Sequence, residues 1–166
     1  TIGADVIERY TRPEMGVLWS QQAKYQAWLD VELAACRALN ALGRIPAADL
    51  AEIEGKAQFD AARIDAIELE VKHSVIAFLT SVAEFVGPSS RYIHMGLTSS
   101  DVVDTGFALQ LKRSGDMLLS GLDRLIAALR KRALEHKDTV MIGRSHAIHP
   151  EPVTFGLNLA VWYADM

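Results

Sequence analysis

A chain of 166 residues holds enough apolar material for one core of its own or for part of a larger one. Half of it is hydrophobic and 23% is charged, an ordinary globular composition, and the formal net charge of −4 supplies no basic field for a nucleic acid. Cys36 is the one cysteine, which excludes an intrachain disulfide and fits a reducing compartment.

Asp5, Glu8 and Arg9 precede any apolar run, so no signal peptide is expected there. Thr11, Pro13 and Glu14 read as a helix start, with Thr11 as its cap. Trp28, Val31, Ala35, Leu39 and Leu42 then share one helical face, and Gly43 and Pro46 end it. Asp60 is placed to cap a short helix carrying Ile64, Ile67 and Val71. A second apolar run, with Val75, Phe78, Leu79, Val82 and Phe85 on one side, stops at Gly87-Pro88. This most apolar stretch is interrupted by Thr80, Ser81 and Glu84 and is too short to span a bilayer. A cytoplasmic protein without a membrane partner is expected.

Residues 89–97 read as a loop. Thr98-Ser99-Ser100-Asp101 offers a run of cap-type residues before a long periodic segment. Ala108, Leu111, Leu118, Leu122, Leu125 and Leu129 recur every three, four or seven residues, a bundle-like seam. The helix extends to about Lys137, roughly 50 Å, and its stripe demands neighbours from this chain or another. The only β alternation, at 139–142, is too short to matter. The fold class is all-α. Residues 153–166 are apolar and helix-favouring but end without a stop signal, so the chain is expected to be part of a longer protein.

Three polar clusters interrupt this pattern. In the first, Arg9, Tyr10 and Arg12 before the first helix make either an anion site, through bidentate guanidinium forks, or a plain solvated helix approach. The second joins Lys72-His73-Ser74, at the break between two helices, to His94 and the Thr98–Asp101 run. A carboxylate held at a helix N-terminus and simple N-capping both account for Thr98 and Ser99.

The third cluster is GRSHAIHPEP, residues 143–152. His146 and His149 would hold a metal only on a regular helix face, which Pro150 and Pro152 oppose, and no cysteine lies nearby. Ser145 beside His146 is no nucleophile–base pair, because adjacent side chains point apart. What remains is a proton-transfer histidine flanked by Arg144, or a hydrogen-bonded structural one.

RYTRPEM (9–15), KHSVIAFLTSVAE (72–84), HMGLTSSDVVDT (94–105) and GRSHAIHPEPVTFG (143–156) together resemble the adenylosuccinate lyase family of the fumarase/aspartase superfamily. The resemblance covers essentially the whole chain. It implies an N-terminal helical domain over 1–105 and, over 106–166, the first part of a central helical bundle whose remainder is missing. It also implies a β-elimination that releases fumarate from adenylosuccinate, giving AMP, and from the succinyl-carboxamide ribotide of purine synthesis.

By motif, Arg9 and Tyr10 correspond to phosphate-side ligands, and Lys72, His73 and Ser74 to contacts with the nucleotide. Thr98 and Ser99 correspond to the succinyl-carboxylate binders, with His94 in the same pocket, and His146 to the general acid. Arg12, Ser100, Asp101, Arg144, Ser145 and His149 are supporting residues. No cofactor or metal is implied, and the partners are a nucleotide substrate and three further copies in a homotetramer whose sites draw on three subunits. Two positions depart from the pattern: Ser74 stands where Asp is frequent, and Ser145 where Thr is common. The catalytic base, a serine on a mobile loop, corresponds to nothing within these residues, so the 166 residues alone are expected to be inactive. The alternatives are another superfamily lyase, such as argininosuccinate lyase or a carboxy-muconate cycloisomerase, and a non-catalytic helical oligomerisation module.

Overall fold

A computed structural model describes residues 7–166; Asp5, named above for the polar N-terminus, lies outside them. The described chain forms seven α-helices: α1 (Pro13–Leu18), α2 (Gln21–Ala41), α3 (Ala47–Lys56), α4 (Ala61–Val71), α5 (Ser74–Val86), α6 (Ser99–Glu135) and α7 (Phe155–Asp165). Two short strands, β1 (Val140–Ile142) and β2 (Pro152–Thr154), join α6 to α7. The all-α expectation holds. The chain divides into two compact units, residues 1–114 and 115–166.

In the first unit, the start expected at Thr11 is made differently. The Thr11 hydroxyl donates to the Ile7 carbonyl, Arg12 stands at the N-cap without a side-chain bond, and Pro13 opens α1. The helix then breaks at Trp19, and Ser20 caps α2 by accepting from the Ala23 N–H at 3.1 Å. Helix α3 follows Pro46, in a segment where no helix is expected from the pattern of residues. Asp60 caps α4 as its type and place predict, accepting from the Arg63 N–H at 3.1 Å. Gly87, at φ 79°, ends α5 where an L side chain would be strained. Residues Pro88–Tyr92, overlapping the loop expected at 89–97, form a 3₁₀ turn.

Tyr25, Trp28 and Phe78 make the centre of this unit, with ring centroids 5.3–5.8 Å apart. Phe59 joins them at 5.8 Å from Tyr25. Ile53, Ile64, Ile67, Val75, Val82 and Val102 close around the rings. The first half of α6 lies on this core through a face of mostly small residues, Val102, Gly106, Gln110 and Ser114, all buried. At Gly106 an added Cβ would stand 2.7 Å from Trp28 Cδ1, so only a glycine lets the helix come this close. Gln110 Nε2 donates to the Leu18 carbonyl at 2.9 Å, and Arg113 meets Asp30 at 3.2 Å. The expected leucine seam is therefore not the face that packs here: Leu111 is left 49% exposed.

In the second unit, α6 ends at Glu135, two residues short of the expected end. β1 and β2 pair antiparallel, Val140 with Thr154 and Ile142 with Pro152. The 139–142 alternation therefore does matter, because a partner strand twelve residues on completes it. Gly156 fits α7 against the end of α6: its N–H donates to the His136 carbonyl at 2.9 Å, and a Cβ there would lie 2.6 Å from Lys137 Cα. Leu129 and Leu159 are buried between the two helices, while Leu118, Leu119, Leu134, Val161 and Trp162 remain more than half exposed.

Phe78→Ala is expected to cost about 3–5 kcal/mol in urea denaturation, since its ring is fully buried among three others. Gly106→Ala is expected to cost about 1–3 kcal/mol by the same measurement, because Trp28 has to move. Burial pushes the Cys36 thiol up to about 11 from 9.0, with Glu32 adding to the shift. The folded state then binds the thiol proton more tightly than the unfolded one. The thiol's contribution to stability should be lost as pH rises from about 9 to about 11, and Cys36→Ala should make the alkaline slope shallower.

Candidate functional site

The second cluster is brought together by three helix ends. Lys72, at φ 55°, is the left-handed residue that closes α4, and His73 is the N-cap of α5. His73 Nδ1 accepts from the Ile76 N–H at 3.3 Å. An amide only donates, so the ring proton sits on Nε2, which lies 3.5 Å from Ser99 Oγ at the head of α6. Ser74 is the first residue of α5 and is half-buried. The contact between His73 and Ser99 joins residues 26 positions apart in the chain.

At the head of α6 the capping explanation accounts for one residue directly. Asp101 Oδ2 accepts from the Thr98 N–H at 2.8 Å, the returning arm of a capping box. Asp101 is thereby a helix-capping residue, whereas exposed Thr98 and Ser100 and half-buried Ser99 keep their hydroxyls at a helix N-terminus, where the dipole favours an anion.

His94 is held from below. Its backbone N–H donates to Glu32 Oε2 at 2.9 Å and its Nδ1 lies 2.6 Å from Glu32 Oε1. Glu32 is fully buried on α2 and was not singled out from the sequence. A signal was present: an acid one turn from Trp28 and one turn from Cys36 falls on the helix's core face.

Of the first cluster, Arg9 and Tyr10 lie in a 3₁₀ turn, Glu8–Tyr10, and meet each other, with the guanidinium carbon 4.9 Å from the ring centroid. Tyr10 is 76% exposed and Arg12 lies near it at the start of α1. Among the described residues no bond ties these three to His73, His94 or Ser99.

The third cluster is the tip of the β1–β2 hairpin in the second unit. Ser145 and Ile148 pair through N–H donations of 2.9 and 3.3 Å, leaving His146 and Ala147 as the two-residue turn. Both have positive φ, 48° and 62°, the pattern of a type I′ turn normally occupied by Asn and Gly. Gly143 sits where a Cβ would lie 2.6 Å from the Glu151 carbonyl. Arg144 Nη2 is 3.1 Å from His149 Nε2; arginine only donates, so Nε2 is the acceptor of that contact. The His146 ring is exposed, with no hydrogen-bond partner among the described residues. Among the described residues no three metal-ligating side chains come together, and no helix is long and apolar enough to cross a membrane.

Residues 8–166 match a family model described as Lyase. The chain belongs to this lyase family. Its relatives and structural neighbours set it within the fumarase/aspartase superfamily. The chain is 57% identical over 161 residues to an adenylosuccinate lyase of Synechocystis sp., and 50% identical over 164 residues to one of Aquifex aeolicus. A Bacillus subtilis adenylosuccinate lyase is 47% identical over 161 residues. Each alignment takes in 97% of this chain, but only 37–38% of the relative, so the chain spans a little over a third of these lyases. Among solved structures, a fumarate lyase from Mesorhizobium superposes with a TM-score of 0.85 at 29% identity, over 91% of this chain and 36% of the other. A 3-carboxy-cis,cis-muconate lactonizing enzyme from Pseudomonas putida reaches 0.86 at 32%, over 93% and 37%.

His73 has a helix-capping contact and a Ser99 contact on opposite ring nitrogens, so substitution can separate them. His73→Asn should keep the cap and the melting temperature, while His73→Ala should lose about 0.5–2 kcal/mol of stability by denaturant titration.

Proposed function

We propose that this lyase chain is the N-terminal portion of an adenylosuccinate lyase of purine biosynthesis, working in the cytoplasm. The reading rests on the similarity to adenylosuccinate lyases along nearly the whole chain, which is higher than that to the other superfamily structures. The reaction is a β-elimination: a base removes the Cβ proton of the succinyl group, the C–N bond breaks, and fumarate leaves. From adenylosuccinate the other product is AMP. From the succinyl-carboxamide ribotide SAICAR it is the carboxamide AICAR.

The chemistry asks for fixed donors around a carboxylate on which charge builds, and for an acid at the leaving nitrogen. Thr98 and Ser99, at the N-terminus of the long α6, suit the first of these, and His73 with its Nε2 proton stands beside them. His94 belongs to the same pocket. His146 suits the second, because its ring is unencumbered and is carried on a tip clamped by Gly143, the Ser145–Ile148 pair and the Arg144–His149 contact. Arg9 and Tyr10 are assigned to the phosphate, with Arg12 in support, and Lys72 and Ser74 to the nucleotide. The base lies outside these 166 residues.

The exposed apolar side chains of α6 and α7, among them Leu118, Leu119, Val161 and Trp162, support assembly with further copies into a homotetramer with composite sites. A second reading, another fumarase/aspartase lyase, draws on the superposition with the lactonizing enzyme. It differs in substrate, not in fold.

In the full-length parent enzyme, fumarate release should occur from adenylosuccinate and not from argininosuccinate. His146→Ala should lower kcat by about 10²–10⁴. Turnover of argininosuccinate instead would keep the superfamily and overturn the phosphate assignment of Arg9 and Tyr10. Turnover unchanged by the substitution would return His146 to a structural role. The 166 residues alone should release no fumarate above background.

A further inference from the structure

Glu32 is the one fully buried carboxylate among the described core residues, on the face of α2 that carries Leu29 and Cys36. Both of its oxygens go to a single residue. Oε2 accepts the backbone N–H of His94 and Oε1 meets the ring at Nδ1, so one carboxylate holds both the main chain and the imidazole. His94 also has φ 67°, a left-handed backbone that a non-glycine residue adopts only when its surroundings impose it. Its carbonyl accepts the Leu97 N–H at 3.3 Å, which ties the clamped residue to the head of α6, where Thr98 and Ser99 begin.

Such an arrangement is a poor way to gain stability. A buried acid with a polar partner is often no better than an apolar side chain of the same volume, because both groups lose their water. What it does provide is orientation. A carboxylate only accepts, so Nδ1 donates to it, and Nε2 is the ring nitrogen left for a ligand. His73 is bound the other way, with Nδ1 accepting and Nε2 carrying the proton. The two histidines therefore stand in opposite, partner-imposed states.

We propose that Glu32 is a positioning residue of the lyase site. It fixes the rotamer and the Nδ1–H state of His94 so that Nε2 meets the substrate at the head of α6. The inference rests on the reading of His94 as a substrate-pocket residue.

The test uses the full-length parent enzyme. Glu32→Gln should lower kcat/KM for adenylosuccinate on the order of 10–100-fold, the effect of removing a partner that orients a working histidine. In a His94→Ala background the same substitution should cost nothing further, because Glu32 acts through His94. Glu32→Met, matched in volume and apolar, should show the same kinetic pattern and guards against misfolding of the glutamine variant. Losses that add in the double variant, or a lowered melting temperature with kcat/KM unchanged, would overturn the proposal.

A separate readout does not depend on which substrate is turned over. With ¹⁵N-labelled histidine, a hydrogen-bonded Nδ1–H resonance should be present in the wild type and absent in both Glu32→Met, which has no oxygen to accept it, and His94→Ala. Its absence from the wild type would overturn the clamp. Its presence in an enzyme that ignores adenylosuccinate would refute the substrate assignment and leave the clamp standing.

Discussion

The close approach of Gly106 to Trp28 governs the first unit. A helix carrying a Cβ at that position would have to stand off the indole, or displace it from Tyr25 and Phe78. Because it does not, α6 meets α2 closely at Gly106, and Val102, Gln110 and Ser114 on the same face are buried. Its first turn is thereby carried to the junction of α4 and α5, where His73 stands. The 3.5 Å contact between Ser99 and His73 is a consequence of packing further along the same helix. The polar site is thus set by an apolar one, and its precision depends on a rigid core.

Polar groups in this unit are divided between helix capping and contacts with one another. Asp60 and Asp101 commit their carboxylates to helix N-termini. His73 commits one ring nitrogen to capping and keeps the other, and His94 gives one to Glu32 and keeps the other. A histidine is suited to this double duty because its two nitrogens are chemically distinct and point in different directions. An aspartate in either place would satisfy the local backbone and leave no donor for an anion.

The second unit solves a different problem, that of holding an imidazole ring out at the tip of a short hairpin. A three-residue strand pair is too short to be stable by itself. It is anchored where Phe155 and Gly156 donate to the carbonyls of Thr139 and His136 at 2.8 and 2.9 Å. The positive φ of His146 and Ala147 carries a local cost of roughly 1–2 kcal/mol each, which the hairpin on either side sustains. With all its neighbours at the tip exposed, His146 is presented outward.

Helix periodicity, the cap at Asp60 and the stops at Gly87 and Pro88 made the all-α class and most element boundaries legible in the sequence, because each depends on residues within a turn or two of one another. So did the clustering of histidines and hydroxyls at three junctions, together with the motifs that mark the family. Three things depended on residues far apart in the chain. The strand at 140–142 gains meaning only from its partner at 152–154. The choice of the small-residue face of α6 over its leucine seam depends on the shape of Trp28, which lies on a different helix far earlier in the chain. Glu32 looked like any acid on a helix until the fold brought His94 against it, 62 positions away. Local hydrogen bonding and periodicity are written in consecutive residues; which buried carboxylate meets which imidazole is decided only when the chain closes on itself.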